Sequence, residues 1–342
     1  MAESIRFVGL DVHATQTCAV ILDRDSGELR KARLRTMPLG VIDYLKPLQP
    51  LRAVYESGPT GLRLARQAQQ QALEVRVCPS GLVPRRPTDR VKTDMRDAER
   101  LARLLAAGEL SFIRVPSIDE EHFRDLVRAR EDLRRDLVRA RHRLANLLLR
   151  RGLRWPGPGS NWTRPHMDWL RSRRFEDHGS AVTYAAYLAA LEQLLQRRSR
   201  LDQAIATVAP EGPYAETIAR LRCFRGIDTL TAAGFCAEVG DFARFRSPRF
   251  PCGYLGLVPT EWSSGEDRRQ GSITKAGSTG GRDRLALPAP PARTLGEAQD
   301  RARQAGRCGL GRACSRARGV LLGGRDARRP LSERGPATDH RS

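Results

Sequence analysis

Two short apolar runs early in the chain each stop on a carboxylate, and this pattern narrows the fold more than any other feature. Ile5, Phe7, Val8 and Leu10 lead into Asp11, and Ala53, Val54 and Tyr55 lead into Glu56. Apolar runs this short read as strands. Residues 18–22 form a second run, and the turn signal Asp25-Ser26-Gly27 separates it from a third at residues 28–34. Residues 5–34 therefore predict a meander of three strands. A strand follows at residues 52–55 and is broken by Gly58-Pro59-Thr60-Gly61. Residues 62–73 have helical spacing, and residues 75–78 read as a further strand. A loop rich in Pro and Arg (residues 79–90) precedes a helix over residues 94–107, with Leu101, Leu104 and Leu105 on one face. A meander followed by alternating strand and helix predicts an α/β fold built on a mixed sheet.

The middle of the chain changes period. Leu126, Leu133, Leu137, Leu144 and Leu148 recur at spacings of seven and four within residues 119–153. This is the seam of a helical hairpin or coiled coil. Eleven arginines lie between Arg124 and Arg154, interleaved with Glu131, Asp132 and Asp136. They fit a solvated, salt-bridged helix as well as a face turned to DNA. Trp155-Pro156-Gly157-Pro158-Gly159 ends this helix, and a second helical run at residues 182–208 can return antiparallel to it. Residues 218–277 read as a small, mainly helical domain. Within it, residues 221–232 resemble a helix-hairpin-helix, whose glycine turn offers backbone N–H groups to a phosphate without reading bases. Gly226 would be the turn glycine and Arg225 its basic neighbour, while Asp228 stands where the second hairpin glycine belongs. An ordinary helix–turn–helix core contact is the competing interpretation.

Charge points to a polyanion. The formal net charge is +21, and 56 arginines stand against four lysines. Part of that ratio reflects GC-rich coding, but so basic a chain has nucleic acid as its default partner. The seven cysteines are odd in number and none are paired as C-x-x-C, which argues against a disulfide framework and a zinc ribbon. Residues 1–10 lack a signal-peptide core, and no run of about 18 apolar residues predicts a membrane span. The expected location is the bacterial cytoplasm, at the nucleoid.

Phosphodiester chemistry with two metals requires carboxylates that converge on ions roughly 4 Å apart. Asp11 and Glu56 close strands that can lie side by side. Asp94 and Asp97 are three apart on a predicted helix and so share a face. Such hard oxygen donors suit Mg²⁺ or Mn²⁺ and not zinc. Singly, each acid has a plainer role open to it; Asp97, for example, could simply complement a helix N-terminus.

Gly9-Leu10-Asp11-Val12-His13, Tyr55-Glu56-Ser57-Gly58-Pro59-Thr60-Gly61 and Lys92-Thr93-Asp94-Met95-Arg96-Asp97-Ala98 resemble the DEDD motifs of the IS110 family of insertion-sequence transposases. Further matches are Gly226-Ile227-Asp228, Ala237-Glu238-Val239-Gly240-Asp241, Gly256-Leu257-Val258-Pro259, Ser263-Ser264-Gly265 and Ile273-Thr274-Lys275-Ala276-Gly277. The resemblance covers residues 4–277. It implies a ribonuclease-H/RuvC-like catalytic domain at residues 4–112, a helical hairpin or coiled coil at 113–210, and a C-terminal transposase domain at 211–277. It also implies a mechanism, in which a serine forms a covalent phosphoserine with DNA and Mg²⁺ or Mn²⁺ on Asp11, Glu56, Asp94 and Asp97 activates that serine. Ser264, beside the glycine, is the favoured nucleophile and Ser263 the alternative; a hydroxyl needs such activation to attack. Lys275 joins Arg225 and Gly226 as a DNA-binding candidate. A structured guide RNA is a further implied partner. Joining two DNA ends implies a homo-oligomer, with the 119–153 seam as a candidate interface.

After Gly277 the motif match is expected to stop. Residues 278–342 contain fourteen arginines, one valine (Val320) and no Ile, Phe, Tyr, Trp, Met, Lys or Asn. Such a tail predicts disorder or a shifted reading frame, which would leave an inactive copy. Residues 281–291 can be coded so that another frame reads Val-Glu-Ile-Ala-Trp-Arg-Tyr-Arg-His-Arg-Pro. Two other functions compete with a transposase. A metal-dependent endonuclease of junction-resolvase type would need the acids but neither serine. A non-catalytic nucleic-acid-binding remnant would bind DNA or RNA in a salt-sensitive way without cutting it.

Overall fold

A computed structural model describes residues 4–35, 38–84, 93–224, 226–245, 253–254, 256, 258–262, 264 and 270–274. The chain forms two compact units, Met1–Pro116 and Ser117–Ser342.

The first unit is α/β. Its elements are β1 (Arg6–Val12), β2 (Gln16–Asp23), β3 (Leu29–Arg35), α1 (Pro38–Leu45), β4 (Leu51–Glu56), α2 (Arg63–Gln70), β5 (Val75–Cys78) and α3 (Asp94–Ala107). The five strands make one mixed sheet in the order β3-β2-β1-β4-β5. β1, β2 and β3 pair antiparallel, as a meander must, while β4 pairs parallel with both β1 and β5. Both faces are covered, which is why β1, β2 and β4 read as nearly continuous apolar runs. Val8, Leu10, Ile21 and Tyr55 pack with Ile42 and Leu45 of α1 and Ala65 of α2. Phe7, Val54 and Cys78 pack on the other face with Leu101 and Leu105 of α3.

Side chains alternate along a strand, so these contacts fix where the acids point. Asp11 shares a face with Phe7, and Glu56 shares one with Val54; both faces are covered by α3. The helix lies unusually near the sheet because Gly9 has no side chain. A Cβ built there would sit 1.9 Å from the Ala98 carbonyl oxygen and 2.6 Å from the Ala102 amide nitrogen. Thr93 starts α3 by accepting a hydrogen bond from the Arg96 N–H, and Gly108 ends it at φ 74°. The predicted span of α3 agrees with the observed one. Helix α1 was not read from the sequence; it is short and its polar face is small.

The second unit is mainly helical: α4 (Ile118–Arg150), α5 (Arg164–Ser172), α6 (His178–Val208), α7 (Ala215–Arg222) and α8 (Thr229–Val239), with a two-stranded ribbon of β6 (Pro259–Glu261) and β7 (Gln270–Ile273). Ser117 and Glu120 form a capping box that starts α4. α4 and α6 run antiparallel: Arg151 Nη2 donates to Ser180 Oγ at 2.6 Å near one end, and Arg130 Nε donates to Asp202 Oδ1 at 2.8 Å near the other. Leu133, Leu137, Leu144 and Leu148 of the predicted seam are buried within this one chain, and Leu126 is partly buried. The seam is thus used up intramolecularly, which corrects its expected role as an interface between subunits. Several α4 arginines are likewise paired within the chain, among them Arg134 with Glu131, Arg135 with Asp132 and Arg139 with Asp136.

Leu144 is fully enclosed. Leu144→Ala should cost roughly 2–5 kcal/mol, the usual range for a large-to-small change that leaves a cavity. A thermal melt followed by helical circular dichroism would register it as a lowered Tm. No described helix is long and apolar enough to cross a membrane.

Candidate metal centre

The four predicted acids gather at one end of the sheet, where the topology delivers them. β1 and β4 are adjacent and parallel, and Leu10 is in register with Tyr55. Asp11 and Glu56 each lie one residue beyond that pair, at neighbouring strand ends. Asp94 and Asp97 occupy the first turn of α3, which the side-chain-free Gly9 lets settle against β1.

Within this group the acids form two pairs, each joined by a basic residue that sequence reasoning missed. His13 Nε2 lies 3.2 Å from Asp11 Oδ2 and 3.5 Å from Asp94 Oδ1. Arg100 Nη2 donates to Asp97 Oδ1 at 2.7 Å and stands 3.9 Å from Glu56 Oε1. A signal existed for each. His13 closes the first motif, two residues after Asp11. Arg100 is three residues beyond Asp97, the spacing of a helical ion pair. The bridging of elements distant in sequence was not visible from either.

Electrostatics mark Asp11 as the strained member. Burial pushes its carboxyl above the ordinary range; His13 opposes this by charge and hydrogen bond, and the charges of Asp94 and Asp97 add to it. A carboxyl raised in this way is ionised at a cost in the folded state, so the protein gains stability as pH falls through its folded value. Asp11→Asn should therefore raise the Tm at neutral pH, with the advantage vanishing below the carboxylate range. Thermal melts across pH check this, and an equal or lower Tm at neutral pH would contradict it.

The donor set fits a divalent cation. Asp11, His13 and Asp94 offer ligand atoms that all lie within 4.8 Å of one another. Beside them opens a cleft of about 880 Å³, lined by Asp11, His13, Glu56, Arg63 and the loop at residues 57–61. That loop is fixed from beneath by the Tyr55 hydroxyl, which donates to the Gly61 carbonyl and accepts from the Ala65 N–H, each at 3.4 Å. Burial pushes the Tyr55 phenol up to about 12, so it remains a donor at any physiological pH.

In the second unit, Ser264 is exposed and follows β6 by three residues. Ser263, Arg225 and Lys275 lie outside the described residues, as does the 278–342 tail. Gly226 adopts φ 90° in the turn between α7 and α8, a conformation suited to glycine. Asp228 caps α8 by accepting from the Thr231 N–H at 2.7 Å. Burial works against the charged carboxylate there, but the Thr231 hydrogen bonds prevail and hold its pKa low. The two helices and glycine turn expected from residues 221–232 are present. However, a carboxylate already takes the Thr231 N–H in the first turn of α8, where a hairpin of this kind would offer N–H groups to a phosphate.

Residues 8–151 match the family model of IS110-type DEDD transposases, described as a transposase, and residues 218–303 match the model described as transposase of the IS116/IS110/IS902 family. A protein of Sinorhizobium fredii, y4qE, named as a transposase, is 37% identical over 279 residues, covering 80% of this chain and 68% of its own. The transposase for insertion sequence element IS1533 of Leptospira borgpetersenii is 32% identical over 250 residues, covering 71% of this chain and 72% of its own. The second family match continues to residue 303, beyond Gly277, where the motif match was expected to stop. With two family models in order along the chain and these relatives matched over most of their lengths, the chain belongs to the IS110 family of insertion-sequence transposases.

Proposed function

We propose that this chain cuts and rejoins DNA strands through a serine nucleophile, with Asp11, Glu56, Asp94 and Asp97 as a metal-binding DEDD set. One observation carries the reading: acids from three separate sequence motifs meet at one sheet end, in a chain of a DNA-transposing family. The sheet order β3-β2-β1-β4-β5, with an antiparallel meander and two parallel strands, supports a ribonuclease-H/RuvC-like assignment for residues 4–112. Residues 113–210 are then the helical hairpin and residues 211–277 the C-terminal transposase domain.

Bound Mg²⁺ or Mn²⁺ supplies positive charge to phosphate and hydroxyl oxygens. The chain's own residues do the rest. The rigid strand ends of β1 and β4 hold Asp11 and Glu56, and the capped first turn of α3 holds Asp94 and Asp97. Ser264 supplies the nucleophile, with Ser263 as the alternative. Its Oγ forms a bond to phosphorus and gives up its proton, while the bond from phosphorus to one strand oxygen breaks and that oxygen takes a proton. The phosphoserine ester keeps the energy of the broken phosphodiester, so a strand hydroxyl can reverse the step and rejoin DNA without a nucleotide cofactor. Arg225, Gly226 and Lys275 are the candidate DNA contacts, a structured RNA of the same element is the candidate guide, and joining two ends calls for more than one subunit. A covalent DNA–protein adduct that survives denaturant, formed by the wild-type chain and not by Ser264→Ala, tests the reading.

A further inference from the structure

The DEDD reading assigns oxygen ligands only, yet an imidazole lies within 3.5 Å of both Asp11 and Asp94. We propose that His13 is a nitrogen ligand of this centre and that it makes the site prefer Mn²⁺ to Mg²⁺. The inference rests on the metal-site reading above and adds to it a ligand and an ion preference.

Three observations carry it. First, the spacing suits shared coordination. Two neighbouring ligands of an octahedral ion with bonds of about 2.1 Å lie about 3 Å apart. His13 Nε2 is 3.2 Å from Asp11 Oδ2 and 3.5 Å from Asp94 Oδ1. Second, the turn that carries His13 is fixed and one of the acids beside it is oriented. The His13 backbone N–H donates to the Gln16 carbonyl at 2.9 Å, which closes the β1–β2 turn, and Gln16 Nε2 donates to Asp94 Oδ2 at 3.4 Å. A donor that orients a ligating carboxylate is the usual support of a metal site. Third, one ligand atom each from Asp11, His13 and Asp94 all lie within 4.8 Å of one another, which puts the imidazole inside the donor set of the DEDD centre rather than outside it. An imidazole donor favours Mn²⁺, which accepts nitrogen readily, over Mg²⁺, which prefers oxygen and keeps its waters.

Titration of the full-length protein with Mn²⁺, followed by the loss of the free-ion electron paramagnetic resonance signal, gives the affinity; competition with Mg²⁺ gives the preference. Pulsed measurements on the bound Mn²⁺ report directly whether an imidazole nitrogen is coordinated. The wild type should bind Mn²⁺ at least about tenfold more tightly than Mg²⁺ and show the nitrogen coupling. His13→Ala should lose the coupling and about tenfold in Mn²⁺ affinity, with Mg²⁺ affinity within about twofold of wild type. His13→Asp should move the preference toward Mg²⁺. Asp11→Asn should lose both ions. If wild type binds Mn²⁺ in an Asp11-dependent way but shows no nitrogen coupling, His13 is only a counter-ion and the inference is overturned while the metal site stands. If wild type binds neither ion, the metal-site reading itself fails.

Discussion

Alanine at position 9 should drive α3 away from the sheet and take the acidic cluster apart. The Cβ of Gly9→Ala would meet the Ala98 carbonyl oxygen at 1.9 Å, the Ala102 nitrogen at 2.6 Å and the Ala98 carbonyl carbon at 3.0 Å. All three are backbone atoms of one helix, so no side-chain rotation relieves the clash and the helix must move as a body. Overpacking by one methyl in an adaptable core costs about 1–3 kcal/mol; against a rigid helix backbone the cost should reach roughly 3 kcal/mol or more. The functional consequence is larger than the loss of stability. Asp94 and Asp97 ride on the first turn of α3, whereas Asp11 and Glu56 stay on the sheet. A shift of an ångström is enough to spoil coordination by groups that need to be held within about half of that. Gly40→Ala is the matched control, because a Cβ there meets nothing within 4 Å and the residue lies in α1. Thermal melts and Mn²⁺ binding compare the two. Gly9→Ala should lower the Tm sharply and abolish binding, whereas Gly40→Ala should leave both unchanged or slightly raise the Tm. A Gly9→Ala protein with wild-type Tm and Mn²⁺ affinity would mean that this close contact does not build the centre.

Much of this arrangement was written in local patterns. Strands β1, β2 and β4 announce themselves because both sheet faces are covered there, so apolar runs end abruptly at polar residues, whereas β3, an edge strand of exposed and half-buried residues, is marked by the turn signal before it. Asp11 and Glu56 stand out because each closes such a run, and Asp94 and Asp97 because a three-residue spacing shares a helix face. The partners of these acids were less visible. His13 lies past the end of the strand's regular geometry, and its two contacts depend on the β1–β2 turn and on where α3 docks. Arg100 is one of 56 arginines, and only the packing of α3 on the sheet carries its guanidinium toward Glu56. In the second unit, heptad spacing identified the buried side of α4 but not what would bury it. The same leucine pattern fits a partner subunit or a returning helix, and the return of α6 within the chain decided between them. Asp228 was noticed as a departure from the hairpin pattern, but its role as the cap of α8 depends on a backbone geometry that residue type alone does not fix.

The second large effect concerns Ser264. If its hydroxyl forms the covalent bond to DNA, Ser264→Ala should abolish adduct formation, since no other group can replace the nucleophile. A drop of at least about a thousandfold is the scale expected when a nucleophile is removed. Fold and metal binding should survive, because Ser264 is exposed and the acids belong to the other compact unit. Ser263→Ala should keep the adduct; the reverse outcome moves the assignment by one residue and leaves the chemistry intact. Asp11→Asn should also fail to form the adduct, despite its higher Tm at neutral pH. An endonuclease that used the acids alone would cut DNA in both serine variants and never become attached to it. A binding protein without catalysis would shift DNA in a salt-sensitive way and leave every strand whole.

Trapping the adduct is thus the most direct test. Purified full-length protein, DNA carrying the element's own ends with any guide RNA the element encodes, and Mn²⁺ would be mixed, denatured and separated by size, with the attached residue then identified by peptide mass spectrometry. The account predicts a phosphodiester-linked peptide containing Ser264 in the wild type and none in Ser264→Ala or Asp11→Asn. Strand cleavage that persists in Ser264→Ala and Ser263→Ala, with no protein bound to the DNA, would contradict it.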